Sequence, residues 1–234
     1  MPKIIAIIHA RGGSKRIPLK NIKKLNGKPL IFYPIQLAKS VNQITRVIVS
    51  TDHSEIKKIS EDCGAEVPFV RPKDISEDVA SELVTKHTLD WLASVGELPD
   101  IAVTITPATP FTKVCHLESA ISMLIQDSNL DSVVSVRKAK EFPQWMVDLD
   151  SQRCGSTPFG DGFDGENNIS QNLKQYYYPL GAFFVNRVAT FIKNPSMYGR
   201  RWSCIEMNDN EHVDIDIMED WINAEKLATS SNNY

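Results

Sequence analysis

Over the first two thirds of this chain, short runs that are apolar throughout alternate with longer amphipathic segments. Runs too short for a helix and apolar at nearly every position suit strands buried on both faces, and the amphipathic stretches between them suit crossover helices. The alternation predicts an α/β fold: a three-layer, Rossmann-like open sheet, mostly parallel, with helices on both faces and an inserted arm. Strands are expected at Ile4–Ile8, Val47–Ser50, Glu66–Val70, Ile101–Ile105 and Ser132–Val136, with helices at about Leu30–Val41, Ser54–Cys63, Ser81–Val95 and Leu117–Ile125. Pro29 at a helix start, Ser54 as a cap, and Gly64 and Gly96 after helix ends punctuate this order.

After Val136 the pattern changes. Residues 153–172 are rich in Gly, Asn, Ser and Asp with little hydrophobic periodicity, which reads as a long loop, a flap or an arm. Trp145–Leu149 is expected as a strand outside the main sheet. Strands at Ala182–Val185 and near Trp202–Met207 and a helix at about Met218–Leu227 return the chain to the core, and Ser230–Tyr234 should fray. At 234 residues this is one domain, residues 1–234, with a dimerisation element inserted at 138–178.

Charge narrows the partners. With 26 Lys+Arg against 29 Asp+Glu the net charge is −3, which argues against nucleic acid and against an anionic membrane as partners, so any anion site must be local. No apolar run approaches the roughly 20 residues of a membrane span, and the first residues lack the features of a signal peptide. Cys63, Cys115, Cys154 and Cys204 are widely spaced, without zinc spacing, and read as reduced thiols of a cytoplasmic protein.

The first candidate site follows the first strand directly: Ala10, Arg11, Gly12, Gly13, Ser14, Lys15, Arg16, Ile17, Pro18, Leu19, Lys20 and Asn21. Glycines at a strand's carboxyl end let backbone N–H groups approach a phosphate, and four cations in ten residues match a triphosphate better than a neutral sugar. A solvated basic loop is the plainer reading. Neither G-x-x-x-x-G-K-[ST] nor G-x-G-x-x-G is present. The second candidate is His212-Val213-Asp214-Ile215-Asp216. An extended segment places Asp214 and Asp216 on one side. Two such carboxylates repel unless a cation joins them, and Mg²⁺, a hard ion taken by one or two carboxylates plus phosphates, suits them. Alternatively Asp216 caps a helix beside an unrelated Asp214.

Weaker signals follow. Asp52, at the end of the second strand, would touch substrate or, more simply, cap the next helix. Arg71 would meet a base carbonyl, a phosphate or a surface carboxylate. The stretch from Thr104 to Phe111 reads as a rigid, hydroxyl-rich lip. His9, His53, His87, His116 and His212 have no ligand spacing and read as structural, and Tyr176-Tyr177-Tyr178 reads as packing.

In order along nearly the whole chain, the motif at 10–21, Gly27-Lys28-Pro29, Val49-Ser50-Thr51-Asp52, Arg71-Pro72 and Val213-Asp214-Ile215-Asp216 resemble the cytidylyltransferases that activate nonulosonic acids, the sialic acid family, as CMP-sugars. Within it the pseudaminic acid branch is the nearer match, through residues 13–18, 64–69, 108–111 and 170–173. The sialic acid enzymes usually carry an Arg-rich motif where this chain has Ile169 to Leu173, and a Gln where it has Thr106.

The resemblance implies that the anomeric hydroxyl of the sugar acid attacks the α-phosphate of CTP. Arg11 and Lys20, with Ser14 and Lys15, would hold the triphosphate, while Asp214 and Asp216 would carry Mg²⁺. Asn21, Arg71 and Ser81 would read cytidine; Thr106 and Gln171 would touch the sugar acid. It also implies a homodimer formed through the arm. A nucleotide-sugar sensor without turnover and a dinucleotide oxidoreductase are the other classes, the second lacking its glycine fingerprint. UTP- or TTP-dependent nucleotidylyltransferases usually carry a longer glycine loop.

Overall fold

The computed structural model describes residues 2–77, 79–159, 169–208 and 211–230. Six strands form one sheet: β1 (Ile4–His9), β2 (Ile44–Ser50), β3 (Ile101–Ile105), β4 (Ser132–Lys138), β5 (Tyr177–Arg187) and β6 (Trp202–Glu206). Their spatial order is β6-β4-β5-β3-β1-β2. β1 runs parallel to β2 and β3, β6 runs parallel to β4, and β5 alone is antiparallel to its neighbours.

Period-two alternation along β1 explains why the run is apolar throughout. Ile4, Ala6 and Ile8 face α1 (Phe32–Ser40), α2 (Ser54–Asp62) and α4 (Val114–Gln126), while Ile5 and Ile7 face α3 (Ser81–Ser94) and α5 (Val188–Lys193). Each of those isoleucines is sealed from solvent, worth roughly 1.5–3 kcal/mol apiece. The last helix, α6 (Met218–Ser230), lies apart from these layers and packs Trp221, Ala224 and Ala228 on Ile17, Leu25, Leu30 and Phe111.

Several expectations change. The strand at Glu66–Val70 is a single bridge: Glu66 donates to Val47 O and accepts from Val49 N, both 2.8 Å. The next ladder donor would be Pro68, which has no N–H. α1 begins at Phe32, because Asn26 and Gly27, both at positive φ (46° and 78°), form a hairpin turn pairing Lys24–Leu25 with Lys28–Pro29. His53 caps α2, its Nδ1 accepting from Glu55 N at 3.3 Å. α4 starts three residues early. β5 spans eleven residues, since Tyr177–Pro179 pairs with the end of β4 beyond a bulge opposite Ser135.

Between β4 and β5 the chain leaves the sheet. Pro143–Trp145 forms a 3₁₀ turn, and only Asp148–Leu149 of the expected outer strand pairs, with Gly155–Ser156. Part of the expected long loop, 160–168, and the tail 231–234 lie outside the described residues. No described helix is long and apolar enough to cross a membrane.

Candidate active site

The parallel strands β1, β2 and β3 end together, and the chain segments that follow them build the site there, where open α/β sheets bind ligands. Polar groups hold the glycine turn in place. Asp52 Oδ1 accepts from Gly12 N at 2.8 Å, and the buried Asn21 donates from Nδ2 to Arg11 O at 2.9 Å. Ala10 N donates to Ser50 O at 3.0 Å. The helix-capping reading of Asp52 therefore gives way to a tie between two loops.

The acidic segment is fastened to the same place. Ile215 is fully buried and its N donates to Ala108 O at 2.9 Å. Lys20 Nζ donates to Ile215 O at 2.5 Å across 195 positions of sequence. Asp216 lies 3.6 Å from Lys20 Nζ through Oδ1 and 3.3 Å from Arg16 through Oδ2. Asp220, in the first turn of α6, reaches back along the chain: its Oδ2 accepts from the N of both Asp216 and Ile217 at 2.9 Å. Crowding by protein atoms and then the Asp216 charge push the Asp214 carboxyl up to about 6, against the pull of Lys20 and Arg16.

Upstream, Glu211 ties this segment to the start of α4. Its carboxylate lies 2.6 Å from Lys113 Nζ and 3.3 Å from His116 Nε2. His116 Nδ1 accepts from Lys113 N at 3.2 Å, so the ring proton sits on Nε2 and points at Glu211.

Two cavities adjoin. One, of about 220 Å³, is walled by Arg11, Ser14, Lys15, Arg16, Lys20, Asn21, Thr106 and Asp216, with His9 at its edge. The other, of about 180 Å³, is walled by His9, Arg11, Arg71, Glu77 and Ser81. Arg71 is 4% exposed; its Nε donates to Ser50 Oγ at 3.1 Å and its NH2 to Ser50 O. Burial lowers its guanidinium to about 10, with Asp52 opposing and Arg11 adding, which leaves it charged at neutral pH. Larger hollows beside Asn186 (about 340 Å³) and along Phe32 and Tyr33 (about 500 Å³) lack the glycine turn, so converging charge rather than size selects the site.

The structure thus gathers Arg11, Ser14, Lys15, Lys20, Asn21, Thr106, Asp214 and Asp216, with Arg71 and Ser81 next door. Ala10, Gly12 and Gly13 form the turn itself. Thr106 Oγ1 donates to Gly181 O at 2.6 Å, on the β5 bulge. Gln171 does not join them: it is exposed in a 3₁₀ turn of the excursion and lines neither cavity. His9, read from the sequence as structural, borders both cavities; its signal was its place as the last residue of β1 before the glycine turn.

An open α/β sheet carrying a cationic glycine turn at the carboxyl end of β1 is the arrangement of a nucleotide-binding protein. A family model described as cytidylyltransferase matches residues 5–148. Over 229 residues the chain is 31% identical to CMP-N,N'-diacetyllegionaminic acid synthase of Legionella pneumophila, covering 96% of each. It is 30% identical over 219 residues to the pseudaminic acid cytidylyltransferase of Campylobacter jejuni, covering 93% of each. Among solved structures it resembles CMP:2-keto-3-deoxy-manno-octonic acid synthetase complexed with CTP, with a TM-score of 0.70 at 16% identity over 97% of this chain and 99% of that one. The chain belongs to the cytidylyltransferase family and is a nucleotidyltransferase.

Proposed function

We propose that this enzyme transfers CMP from CTP to the anomeric hydroxyl of a nine-carbon nonulosonic acid, pseudaminic acid by preference, in the cytoplasm. The observation that carries the reading is Lys20, which reaches from the glycine turn to both Ile215 O and Asp216 and so joins a phosphate-binding loop to a carboxylate pair. The sugar oxygen forms a bond to the α-phosphorus as the bridging bond to the β-phosphate breaks, and pyrophosphate leaves. Little covalent work falls to the protein; positioning and charge neutralisation supply the rate.

In that reaction Arg11 and Lys20, with Ser14 and Lys15, hold the triphosphate and stabilise charge on the departing pyrophosphate. Arg71 and Ser81 read cytidine from the adjoining cavity, and Asn21 from the wall of the first. Thr106 has given its proton to Gly181 O, so it offers lone pairs to a sugar hydroxyl. Asp214 and Asp216 fit a divalent cation: both are hard oxygen donors, and the cost of burying Asp214, to which repulsion from Asp216 adds, is what a cation relieves. Bound there, Mg²⁺ would screen the α-phosphate and lower the pKa of the attacking hydroxyl.

A homodimer completes the site. The excursion at 138–178 exposes Trp145, Met146, Val147, Leu149 and Phe159, and Gln171 reaches a sugar only in a partner's site. Sedimentation at micromolar concentration should give a dimer; a monomer rejects this part. Its 31% identity to a legionaminic acid synthase favours a second reading, in which that sugar replaces pseudaminic acid. Incubation with CTP, Mg²⁺ and pseudaminic, legionaminic or N-acetylneuraminic acid tests both. One CMP-sugar and stoichiometric pyrophosphate are expected, and no product from any of the three acids refutes the proposal.

A further inference from the structure

We propose that His9 hydrogen-bonds a ribose hydroxyl of the bound nucleotide and so sets a preference for CTP over its deoxy analogues. This deepens the reading above and rests on it. His9 closes β1 on the same face as Ile5 and Ile7, toward α3. Its Nε2 lies 3.2 Å from Thr85 Oγ1, which lies 3.2 Å from Thr104 Oγ1; both threonines are buried, so the ring is held from below. Nδ1 makes no hydrogen bond among the described residues and, unlike Nδ1 of His87, is not sealed from solvent.

The place of this ring decides what it can meet. His9 and Arg11 line both cavities. A nucleotide with its phosphates among the cations of one and its base beside Arg71 in the other must lay its sugar along their shared wall. Burial, reinforced by the nearby Arg71 charge, holds the imidazole neutral, its pKa lowered to about 3. His9 is therefore not a further phosphate-binding cation. Thr85 has one proton, and the tautomer of His9 depends on whether Thr104 or His9 receives it. Nδ1 is then either an N–H donor or a bare acceptor. A hydroxyl group satisfies either case, whereas a phosphate oxygen satisfies only the first.

The test compares kcat/KM for CTP, 2′-deoxy-CTP and 3′-deoxy-CTP in wild type, His9→Leu and His9→Asn, read by pyrophosphate release at saturating sugar acid. Wild type should prefer CTP over one deoxy analogue by about tenfold, the scale of one net hydrogen bond. His9→Leu should lose about tenfold with CTP and nothing with that analogue, bringing the preference to about unity. His9→Asn should keep part of it. An equal loss on all three nucleotides would mean packing alone and overturn the assignment, as would a wild type that does not discriminate or a preference that survives in His9→Leu. If His9→Leu loses its cooperative melt, His9→Asn and Thr85→Val, which frees the ring, carry the comparison; an unchanged preference in both overturns it. Wild-type turnover of CTP keeps the parent reading whatever His9 does. With no turnover at all the parent reading falls, and calorimetric affinities for the three nucleotides decide the role of His9 by the same criteria.

Discussion

Gly12 and Gly13 are adjacent, yet the structure assigns them opposite sensitivities. A β-carbon on Gly12 would sit 2.8 Å from His53 Cδ2 and 2.9 Å from His53 Cβ, whereas one on Gly13 would meet nothing within 4 Å. Neither glycine has a positive φ, so the difference is one of space and not of backbone conformation. Rotating the His53 ring cannot clear its own Cβ. The clash must move the turn or the end of β2, which stretches the bond from Gly12 N to Asp52 and disturbs the cap His53 gives to α2. Overpacking costs about 1–3 kcal/mol and a weakened cap adds up to about 1 kcal/mol, so Gly12→Ala should destabilise by about 2–3 kcal/mol. At about 2–4 °C per kcal/mol for a chain of this size, its melting temperature should fall by about 4–12 °C. Gly13→Ala should stay within about 0.5 kcal/mol of wild type. Differential scanning calorimetry of the three proteins, without nucleotide, makes the comparison. If Gly12→Ala and Gly13→Ala melt together, the close approach of His53 does not exist and the account of the turn is wrong.

Asp216→Asn should cost about 10²–10³ in kcat, measured by pyrophosphate release, and less than about 1 kcal/mol in stability, because the Asp216 carboxylate is itself solvent-exposed and its partner Arg16 more so; near-normal turnover would remove the carboxylate pair from the mechanism. Glu211→Ala should lower kcat about tenfold by loosening the segment that presents Asp214 and Asp216, while Glu211→Gln, which keeps an acceptor for His116 Nε2–H, restores most of it. Equal kinetics in the two variants would show that Glu211 only packs. The lowered pKa of His9 makes stability pH-dependent: the unfolded state, with an ordinary pKa near 6.5, binds the proton that the fold excludes, so stability is full above pH 6.5 and falls as pH drops toward about 3. His9→Asn should remove up to about 1.4 kcal/mol per pH unit of that slope in chemical unfolding, and an unchanged slope would mean that the ring is free to charge in the fold.

What could be read before the structure was set by burial on two faces. β1, β3 and the start of β4 are buried at both alternating positions because helices cover both sides, and that double demand leaves a plain trace of apolar and small residues. Where a demand is single or distant, the trace fades. Glu66 to Val70 has the composition of a strand, but one missing N–H at Pro68 ends the ladder after a single bridge. β5 looks short because its outer half pairs past a bulge with exposed Tyr177 and Tyr178, so no apolar alternation marks it.

The same logic divides the site. A turn and a carboxylate pair are local patterns, and each announced itself. Their meeting depends on one lysine reaching a carbonyl 195 positions away, and nothing local encodes that. Asp52 and His9 were underrated for a related reason. An aspartate before a helix has a sufficient local role as a cap, yet His53 caps the helix and frees Asp52 to hold Gly12. A histidine at a strand end has a sufficient local role as core, yet the sheet order sets α3 beneath it and leaves its other edge facing two cavities. In both cases the residue's work follows from which loops the parallel sheet brings side by side, and that is a property of strand order, which no window of sequence contains.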